Sequence, residues 1–199
     1  TPPVITINSE QNISLGGARY VFNVTTDEDA VCVLHFNGTD YDEGPSVTDC
    51  WNDAADPHPI CSCSDLQSIN THLNWSYYLV NDIDCSNTST WNGGAGFIPL
   101  SYLWTQQFTG TIDGRNFTVY DLYINRSATY TGFIGLLAGT VKNLGIERGY
   151  VSGGAGDEVG GLAGWGQSGT IRRCFFKGEV VGNDNVGGLM GFLSTNGAR

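Results

Sequence analysis

Three tetrapeptides recur at a nearly constant interval: Gly132-Phe-Ile-Gly135, Gly161-Leu-Ala-Gly164 and Gly188-Leu-Met-Gly191 begin 29 and 27 residues apart. The match extends beyond the glycines, because Thr140-Val-Lys-Asn-Leu144 aligns with Thr170-Ile-Arg-Arg-Cys174. A fixed period of this length predicts a repeat architecture, in which each unit buries its apolar side chains against its neighbours.

The repeating unit is strand-like, since its apolar runs are about four residues long and glycines punctuate them. Three short strands per repeat predict an all-β fold, a parallel β-solenoid over residues 63–199. We expect the 28 glycines to supply corners with positive φ and to let successive coils approach closely. The expected inward ladders are Phe133 with Leu162 and Leu189, Val141 with Ile171, and Val151 with Val180.

The repeats also carry a family resemblance. Val159-Gly-Gly-Leu-Ala-Gly164, followed by Gly169-Thr-Ile-Arg-Arg-Cys174 and Gly178-Glu-Val-Val-Gly182, resembles the GLUG repeat, and residues 108–125 resemble the coil that precedes such repeats. That repeat occurs in large bacterial and archaeal surface proteins, among them adhesins and the non-catalytic part of some immunoglobulin A peptidases. The resemblance covers about residues 63–199 and implies a β-helix in an extracellular setting.

The first 62 residues form a separate region. Residues 1–50 predict short antiparallel strands with polar turns and resemble the start of an immunoglobulin-like module. Residues 51–62 are predicted to be a linker, in which His58 is expected to be solvated. A capping box at Ser64-Asp-Leu-Gln67 predicts a short helix that caps the solenoid, with Leu66, Ile69 and Leu73 on its apolar face.

Residues 86–107 form a long polar and aromatic excursion between predicted strands. Long loops on solenoids often bind partners, and exposed tryptophans could stack on the sugar rings of a glycan. Alternatively, the aromatic side chains pin the loop onto the coil. The residues concerned are Trp91, Tyr102 and Trp104.

Charge and hydropathy limit the classes of partner. The net charge is −11, with nine Lys plus Arg, and this excludes the basic surfaces that select nucleic acid or anionic membranes. No apolar run approaches the roughly 18 residues of a membrane span, so no membrane insertion is expected. The sequence shows no signal peptide, and we interpret the chain as a mature or excised product.

Seven asparagines lie in Asn-X-Ser/Thr sequons, all before Ser127. This sequon is the acceptor for N-glycans in secreted proteins, so the pattern predicts a glycoprotein at the cell surface with its glycans outside the repeats. The predicted acceptors are Asn12, Asn23, Asn37, Asn74, Asn87, Asn116 and Asn125.

The chain contains six cysteines, an even count that favours disulfides in an extracellular protein. Six cysteines allow 15 pairings, and the sequence does not choose among them. A zinc site is the rival interpretation, but the usual paired C-x₂-C spacing is missing. Cys174 aligns with Leu144 and could instead be a plain buried thiol. The disulfide candidates are Cys32, Cys50, Cys61, Cys63, Cys85 and Cys174.

No catalytic signature stands out. Glycoside hydrolysis requires two carboxylates at a fixed distance, and the candidates are Asp82, Asp84, Asp113 and Asp121. Asp82 and Asp84 lie two residues apart on one predicted strand without a matched basic partner, and Asp113-Gly114 is a turn signal. The three histidines, His35, His58 and His72, lie outside the repeats. We therefore expect no enzyme, metal or cofactor, with a carbohydrate-active β-helix enzyme as the alternative. Two corners could hold calcium weakly through oxygen ligands: Asp157-Glu158 and Asn183-Asp184-Asn185.

The expected function is that of a structural or adhesive surface glycoprotein. The third repeat begins at Val186 and ends before its remaining strands, so the last coil is expected to be open. An open coil predicts strand addition, either by another copy in a head-to-tail filament or by neighbouring domains of a longer polypeptide.

Overall fold

The computed structural model describes Cys50 and residues 56–194. The predicted antiparallel strands and immunoglobulin-like module in residues 1–49 lie outside the described residues. Helix α1 spans Cys63–Ser68, and 3₁₀ segments span Ile69–Thr71 and Ser86–Gly94. The strands are β1 His58–Ile60, β2 Ser76–Leu79, β3 Ile83–Asp84, β4 Thr111–Asp113, β5 Thr118–Tyr120, β6 Tyr123–Asn125, β7 Ile134–Leu137, β8 Thr140–Lys142, β9 Gly145–Ser152, β10 Asp157–Gly160, β11 Ala163–Gly166, β12 Thr170–Arg172, β13 Phe175–Val181, β14 Asp184–Gly187 and β15 Met190–Leu193.

All pairs among these strands are parallel, as the repeat predicted. Each sheet receives its strands from successive parts of the chain. The first sheet has the order β1-β2-β4-β8-β12, the second β3-β5-β9-β13 with β6 also paired to β9, the third β7-β11-β15 and the fourth β10-β14.

The observed register confirms the predicted ladders. Val141 lies opposite Ile171, and Val151 lies opposite Val180. Ala163 lies opposite both Ile134 and Met190. The three residues that directly precede Ile134, Ala163 and Met190 in the chain therefore occupy equivalent positions in successive repeats. Those residues are Phe133, Leu162 and Leu189.

The hydrophobic core runs between the sheets, and its burial declines toward the end of the described chain. Val141 is fully buried, whereas Ile171, its partner in the next repeat, is half-buried. Strand β13 has two half-buried residues, and its other five residues are exposed. Within the described residues, the last repeat therefore packs against the preceding coil on one side only.

Of the two roles predicted for glycine, close approach between coils is observed, whereas most corners with positive φ are formed by other residues. Among the described residues, positive φ occurs at eleven non-glycine positions and at four glycines, so the prediction that glycine supplies the corners is wrong for most of them. Asn143 and Arg173, opposite each other in successive repeats, both adopt φ near +54° (53° and 55°). Close approach is confirmed: a Cβ on Gly110 would lie 1.9 Å from the carbonyl oxygen of Trp75.

Helix α1 begins two residues earlier than predicted. Its N-cap is Ser62, whose hydroxyl accepts from the Asp65 N–H at 3.2 Å, while the Asp65 carboxylate accepts from the Ser62 N–H at 2.9 Å. The reciprocal pair is a capping box, which satisfies helix-end donors. Leu66 and Ile69 are fully buried, as the predicted apolar face requires.

Strand β1 lies inside the range predicted to be a linker. His58 pairs with Tyr77 across β1 and β2, and its side chain is buried, so the expectation of a solvated histidine is wrong. The imidazole stacks on the Trp75 indole at 4.2 Å, and His72 stacks on the same indole at 3.6 Å. None of the helices in the described part of the chain is long and apolar enough to cross a membrane.

Candidate functional site

Two of the four candidate carboxylates for the carbohydrate-cleaving alternative accept hydrogen bonds from backbone N–H groups. Asp82 accepts a hydrogen bond from the Thr118 N–H at 2.8 Å, and Asp84 accepts one from the Ser86 N–H at 2.8 Å. Hydrogen bonds from Ser86 lower the pKa of Asp84. A carboxylate stabilised in its charged form is a poor proton donor at neutral pH.

The Asp113 carboxylate forms more interactions than those of Asp82 and Asp84. Its carboxylate accepts from the Asn143 amide at 3.0 Å and from the Arg115 N–H at 2.9 Å, and it pairs with the Lys142 ammonium at 3.0 Å. Burial raises the pKa of Asp113, but these hydrogen bonds and the nearby ammonium outweigh it and leave the pKa below its ordinary value.

Asp121 forms a two-pronged ion pair with Arg148, at 2.8 Å from Nε and 2.6 Å from Nη2. The same guanidinium lies over the Tyr120 ring, 4.8 Å from its centroid. Glycoside hydrolysis needs one carboxylic acid whose pKa is raised. The pKa values of Asp84 and Asp113 are lowered instead, so the carbohydrate-cleaving alternative finds no support at these two residues.

An acidic corner lies where β10 pairs with β14. Asp157 lies opposite Asp184, and the Asn183 amide donates to the Asp157 carboxylate at 3.2 Å. Burial, followed by the charges of Asp157 and Asp184, raises the pKa of Glu158.

The predicted calcium ligands include both carboxylates and asparagine amides. Within residues 56–194 and Cys50, one group of three His, Cys, Asp or Glu ligand atoms lies within 4.8 Å of one another, formed by Cys50, Cys61 and Asp65. The two sulfurs of that group form a disulfide, and ligation requires a free thiolate. Weak calcium binding at the acidic corner stays a prediction.

Aromatic rings cluster on the surface beside the acidic corner. The ring centroids of Trp104 and Trp165 lie 4.9 Å apart, those of Trp104 and Tyr130 5.4 Å, and those of Tyr130 and Trp165 5.1 Å. Phe192 meets the Trp165 ring edge-on at 5.6 Å. We call these four side chains the aromatic platform.

The third sheet and the preceding loop position the platform. Leu136, Trp165 and Phe192 occupy equivalent positions of β7, β11 and β15, so the outer rings follow one row across the sheet. The loop that carries Trp104 is tied to the same sheet, because the buried Ser101 hydroxyl donates to the Leu136 carbonyl at 2.8 Å and accepts from its N–H at 3.2 Å.

The backbone of the platform adopts conformations that are unfavourable for its residue types. Ser101, Tyr130 and Glu158 have φ of 54°, 60° and 54°, and a bulky residue rarely adopts this left-handed region. Trp165 adds an unsatisfied donor, because its buried indole Nε1 has no hydrogen-bond partner among the residues that the structure describes. Such costs are tolerated most often at functional sites.

Polar groups flank the rings. Burial raises the pKa of Tyr130 and the charge of Glu158 raises it further, which places the phenol beside this carboxyl group. On another side, the Gln107 amide donates to the Gln167 side-chain carbonyl, which links the Trp104 loop to the end of β11.

The aromatic residues of the loop differ in burial. Trp91 packs against the hydrophobic core, as the pinned loop predicted. Trp104 and Tyr102 remain 58% and 43% exposed, so they are accessible, and partner binding by this loop stays a prediction. Tyr130 and Trp165 were not predicted, although Trp165 aligns with Phe192 in the repeat and this alignment could have indicated an aromatic row.

The cysteines form two disulfides. Cys50 pairs with Cys61 and Cys63 pairs with Cys85, with Cα–Cα distances of 5.8 and 5.3 Å. Cys174 forms no disulfide within the described residues, and burial raises the pKa of its thiol, which fits the plain-thiol interpretation. Cys32 lies outside the described residues, as does His35.

The predicted glycan acceptors that the structure describes are all exposed. Exposure is necessary for glycosylation but does not show it, so the glycans stay a prediction. The exposed acceptors are Asn74, Asn87, Asn116 and Asn125, whereas Asn12, Asn23 and Asn37 lie outside the described residues.

Two known proteins are similar in sequence to this chain. Halomucin of Haloquadratum walsbyi is 37% identical over 155 residues, which cover 73% of this chain and 2% of halomucin. The immunoglobulin A1 protease of Streptococcus sanguinis is 29% identical over 126 residues, which cover 63% of this chain and 6% of that protein. The chain therefore spans a small fraction of the length of these relatives.

A solved structure from Bacteroides ovatus, assigned provisionally as an immunoglobulin A1 protease, is 16% identical, with a TM-score of 0.46 and coverage of 70% of this chain and 62% of that one. No protein-family profile matches the chain, so the GLUG-repeat prediction is not confirmed. The expectation that the chain is not an enzyme is contradicted, because the Streptococcus sanguinis relative is named as a protease, and that name points to enzyme activity in the relative.

Proposed function

We propose that this chain is a glycosylated parallel β-solenoid segment of a large extracellular surface protein. It aligns with 2% and 6% of its two relatives, so its counterpart in each is a small segment of a much longer protein. Two disulfides and four exposed sequon asparagines support an oxidising, extracellular setting.

The recurring strand register is the observation that carries the solenoid proposal. Thr111 lies opposite Thr140, and Thr140 lies opposite Thr170, so strands about 30 residues apart follow one another across the first sheet. The second and third sheets repeat this order. A chain that winds in one direction, with one strand per sheet per turn, produces this arrangement.

The last repeat supports a partner that adds strands. Within the described residues, its strands pair only with the preceding coil and several of its apolar side chains are exposed, and a strand edge of this kind can accept another strand. We propose that a further coil of the same kind covers this edge, supplied by the same polypeptide or by a second copy. The exposed apolar residues are Phe175, Val181, Val186, Phe192 and Leu193.

Brief protease treatment of intact cells that produce the native protein tests the surface location. We expect peptides of this chain in the released fraction, with glycans on the asparagines that the structure shows exposed. Peptides that appear only after the cells are lysed would contradict the surface location. Unmodified asparagines in released peptides would contradict the glycosylation alone.

A second candidate function is proteolysis by the whole protein. The Streptococcus sanguinis relative, named an immunoglobulin A1 protease, favours it. Incubation of the whole native protein with immunoglobulin A1, with immunoglobulin G as the control substrate, tests it. Fragments specific to immunoglobulin A1 support the candidate, and intact heavy chains after prolonged incubation reject it. The same assay on the 199-residue chain shows whether the activity resides in this segment.

A further inference from the structure

We propose that the aromatic platform binds the face of a neutral pyranose ring, with the Trp104 indole as the stacking surface. This inference goes beyond the proposed location and architecture, and it can be tested on the chain alone. It assigns a ligand class, a neutral oligosaccharide, to a surface built by the loop of residues 101–107 and strand β11.

Exposure and support of the Trp104 indole are the first argument. The side chain is 58% exposed, although indoles usually bury most of their surface. The ring is nevertheless held from beneath, by Trp165 at 4.9 Å and Tyr130 at 5.4 Å. A rigid, half-covered aromatic ring offers a flat apolar surface at low entropic cost on binding. A pyranose presents one face of C–H groups, which matches such a surface.

The polar groups around the rings are the second argument. Binding sites for small molecules combine aromatic walls with a few polar groups that fix orientation. Here the Tyr130 phenol and the Glu158 carboxyl flank one side, and the Gln107 and Gln167 amides flank another. Hydroxyl groups on the edge of a sugar ring both donate and accept, so they suit phenol, carboxyl and amide partners.

The cost of building the platform is the third argument. Tyr130 and Glu158 adopt positive φ, and Trp165 Nε1 is buried without an acceptor in the described part of the chain. An apolar patch that served stability alone would be expected to avoid both penalties. The rings are therefore arranged at a cost to stability, as binding sites commonly are.

Charge restricts the ligand. Asp157, Glu158 and Asp184 lie beside the platform, and burial, followed by the charges of Asp157 and Asp184, raises the pKa of Glu158. The chain has a net charge of −11. An acidic surface disfavours uronate and sulfate groups, so the platform is expected to prefer uncharged sugars.

Isothermal titration calorimetry of the full 199-residue chain tests the proposal. The neutral probes are cellohexaose, β-1,4-mannohexaose and chitohexaose, and hexagalacturonate is the anionic probe. We expect at least one neutral probe to bind and hexagalacturonate to bind more weakly. Absence of binding by all neutral probes at millimolar concentration overturns the proposal, and preference for hexagalacturonate overturns the neutral assignment.

Matched variants locate the binding. Trp104→Ala is expected to raise the Kd of the bound probe about tenfold, and Trp104→Phe to raise it less, because a smaller ring keeps part of the stacking. Leu103→Ala is the control, since Leu103 is the exposed apolar neighbour, 45% exposed, without an aromatic ring. Thermal unfolding of each variant verifies its fold.

Two outcomes of the variant series would contradict the site. Equal affinity of wild type and Trp104→Ala would place the binding elsewhere. A change of molecular mass in sedimentation on replacing Trp104, with saccharide binding unchanged, would identify the platform as a contact between copies of the chain.

Discussion

Gly139 lies directly above Gly110 in the next coil, so closely that a Cβ on Gly139 would be 2.1 Å from the carbonyl oxygen of Gly110. Gly110 has the same relation to Trp75 below it, with a corresponding distance of 1.9 Å. Successive coils thus approach each other backbone to backbone at Gly110 and Gly139, where there is no room for a Cβ. The spacing between coils, rather than a left-handed turn, requires glycine at these positions.

Gly139→Ala is therefore expected to destabilise the protein by about 1–3 kcal/mol, because the methyl group must push two coils apart. Urea unfolding measures the loss. Gly188→Ala is the matched control, since a Cβ there meets nothing within 4 Å, and its effect is expected to be within about 1 kcal/mol. Equal effects of the two substitutions would show that the close approach does not limit stability.

The repeat made much of the register predictable and little of the backbone conformation. Aligned apolar residues such as Val141 and Ile171 predicted the strand pairs because parallel coils place equivalent positions opposite each other. The positive φ of Arg173 was not predictable, since arginine carries no signal for that conformation and tertiary packing imposes it. The α1 cap was placed at Ser64 instead of Ser62 because both serines precede Asp65 and only the hydrogen bonds distinguish them.

The candidate site was less predictable than the fold. Trp104 lies in a long loop, which the sequence marks as a candidate binding segment, whereas Trp165 lies in a repeat strand and carries no such signal. Only the stacking of β11 on β7 and β15 shows that its ring lies under Trp104. Six cysteines permitted 15 pairings, and the fold selected Cys63–Cys85 by bringing α1 against the turn after β3.

The two disulfides are expected to contribute unequally to stability. Cys63 and Cys85 are 22 residues apart, whereas Cys50 and Cys61 are 11 residues apart. By the loop-entropy relation the longer loop contributes roughly 3.4 kcal/mol and the shorter one roughly 2.8 kcal/mol. Both cysteines of the longer loop are also buried in the core.

Thermal unfolding of the paired serine variants Cys63→Ser/Cys85→Ser and Cys50→Ser/Cys61→Ser tests this order. The first pair is expected to lower Tm more, because two buried hydroxyls add to the lost cross-link. Cys174→Ser is the control for loss of a thiol outside a disulfide. A larger loss from Cys50→Ser/Cys61→Ser would contradict the predicted order.

Glu158 and Asp113 are expected to affect stability with opposite dependence on pH. The pKa of Glu158 is raised in the folded state, so its charge opposes folding at neutral pH and the penalty fades as pH falls through that raised pKa. Glu158→Gln should therefore raise Tm at pH 7, and the gain should vanish by about pH 4.

Asp113→Asn is expected to show the opposite pH dependence from Glu158→Gln. The pKa of Asp113 is lowered in the folded state, so the carboxylate stabilises the fold above its unfolded-state pKa, and this contribution is lost as pH falls through the lowered pKa. The variant should lower Tm at pH 7, by an ion-pair contribution of at most about 1 kcal/mol, and should approach wild type below about pH 4. Tm curves from pH 3 to 8 measure both variants, and parallel curves would refute the assignment.

Amide hydrogen exchange is expected to distinguish the inner strands from the last repeat. Val151 is fully buried in β9, which pairs on both sides, whereas its partner Val180 lies half-buried in β13, the outermost strand of that sheet. Amides on a one-sided edge open by local fraying, while amides between two strands require larger unfolding. Amides of β12–β15 should therefore exchange faster than those of β7–β9 in dilute solution.

If a second copy adds strands to this edge, protection of β12–β15 should rise with protein concentration while β7–β9 remains unchanged. Leu193→Lys, at an exposed position, should suppress that rise, because a charge at an edge opposes pairing. Uniform protection of all strands at every concentration would contradict both the open edge and strand addition by a second copy.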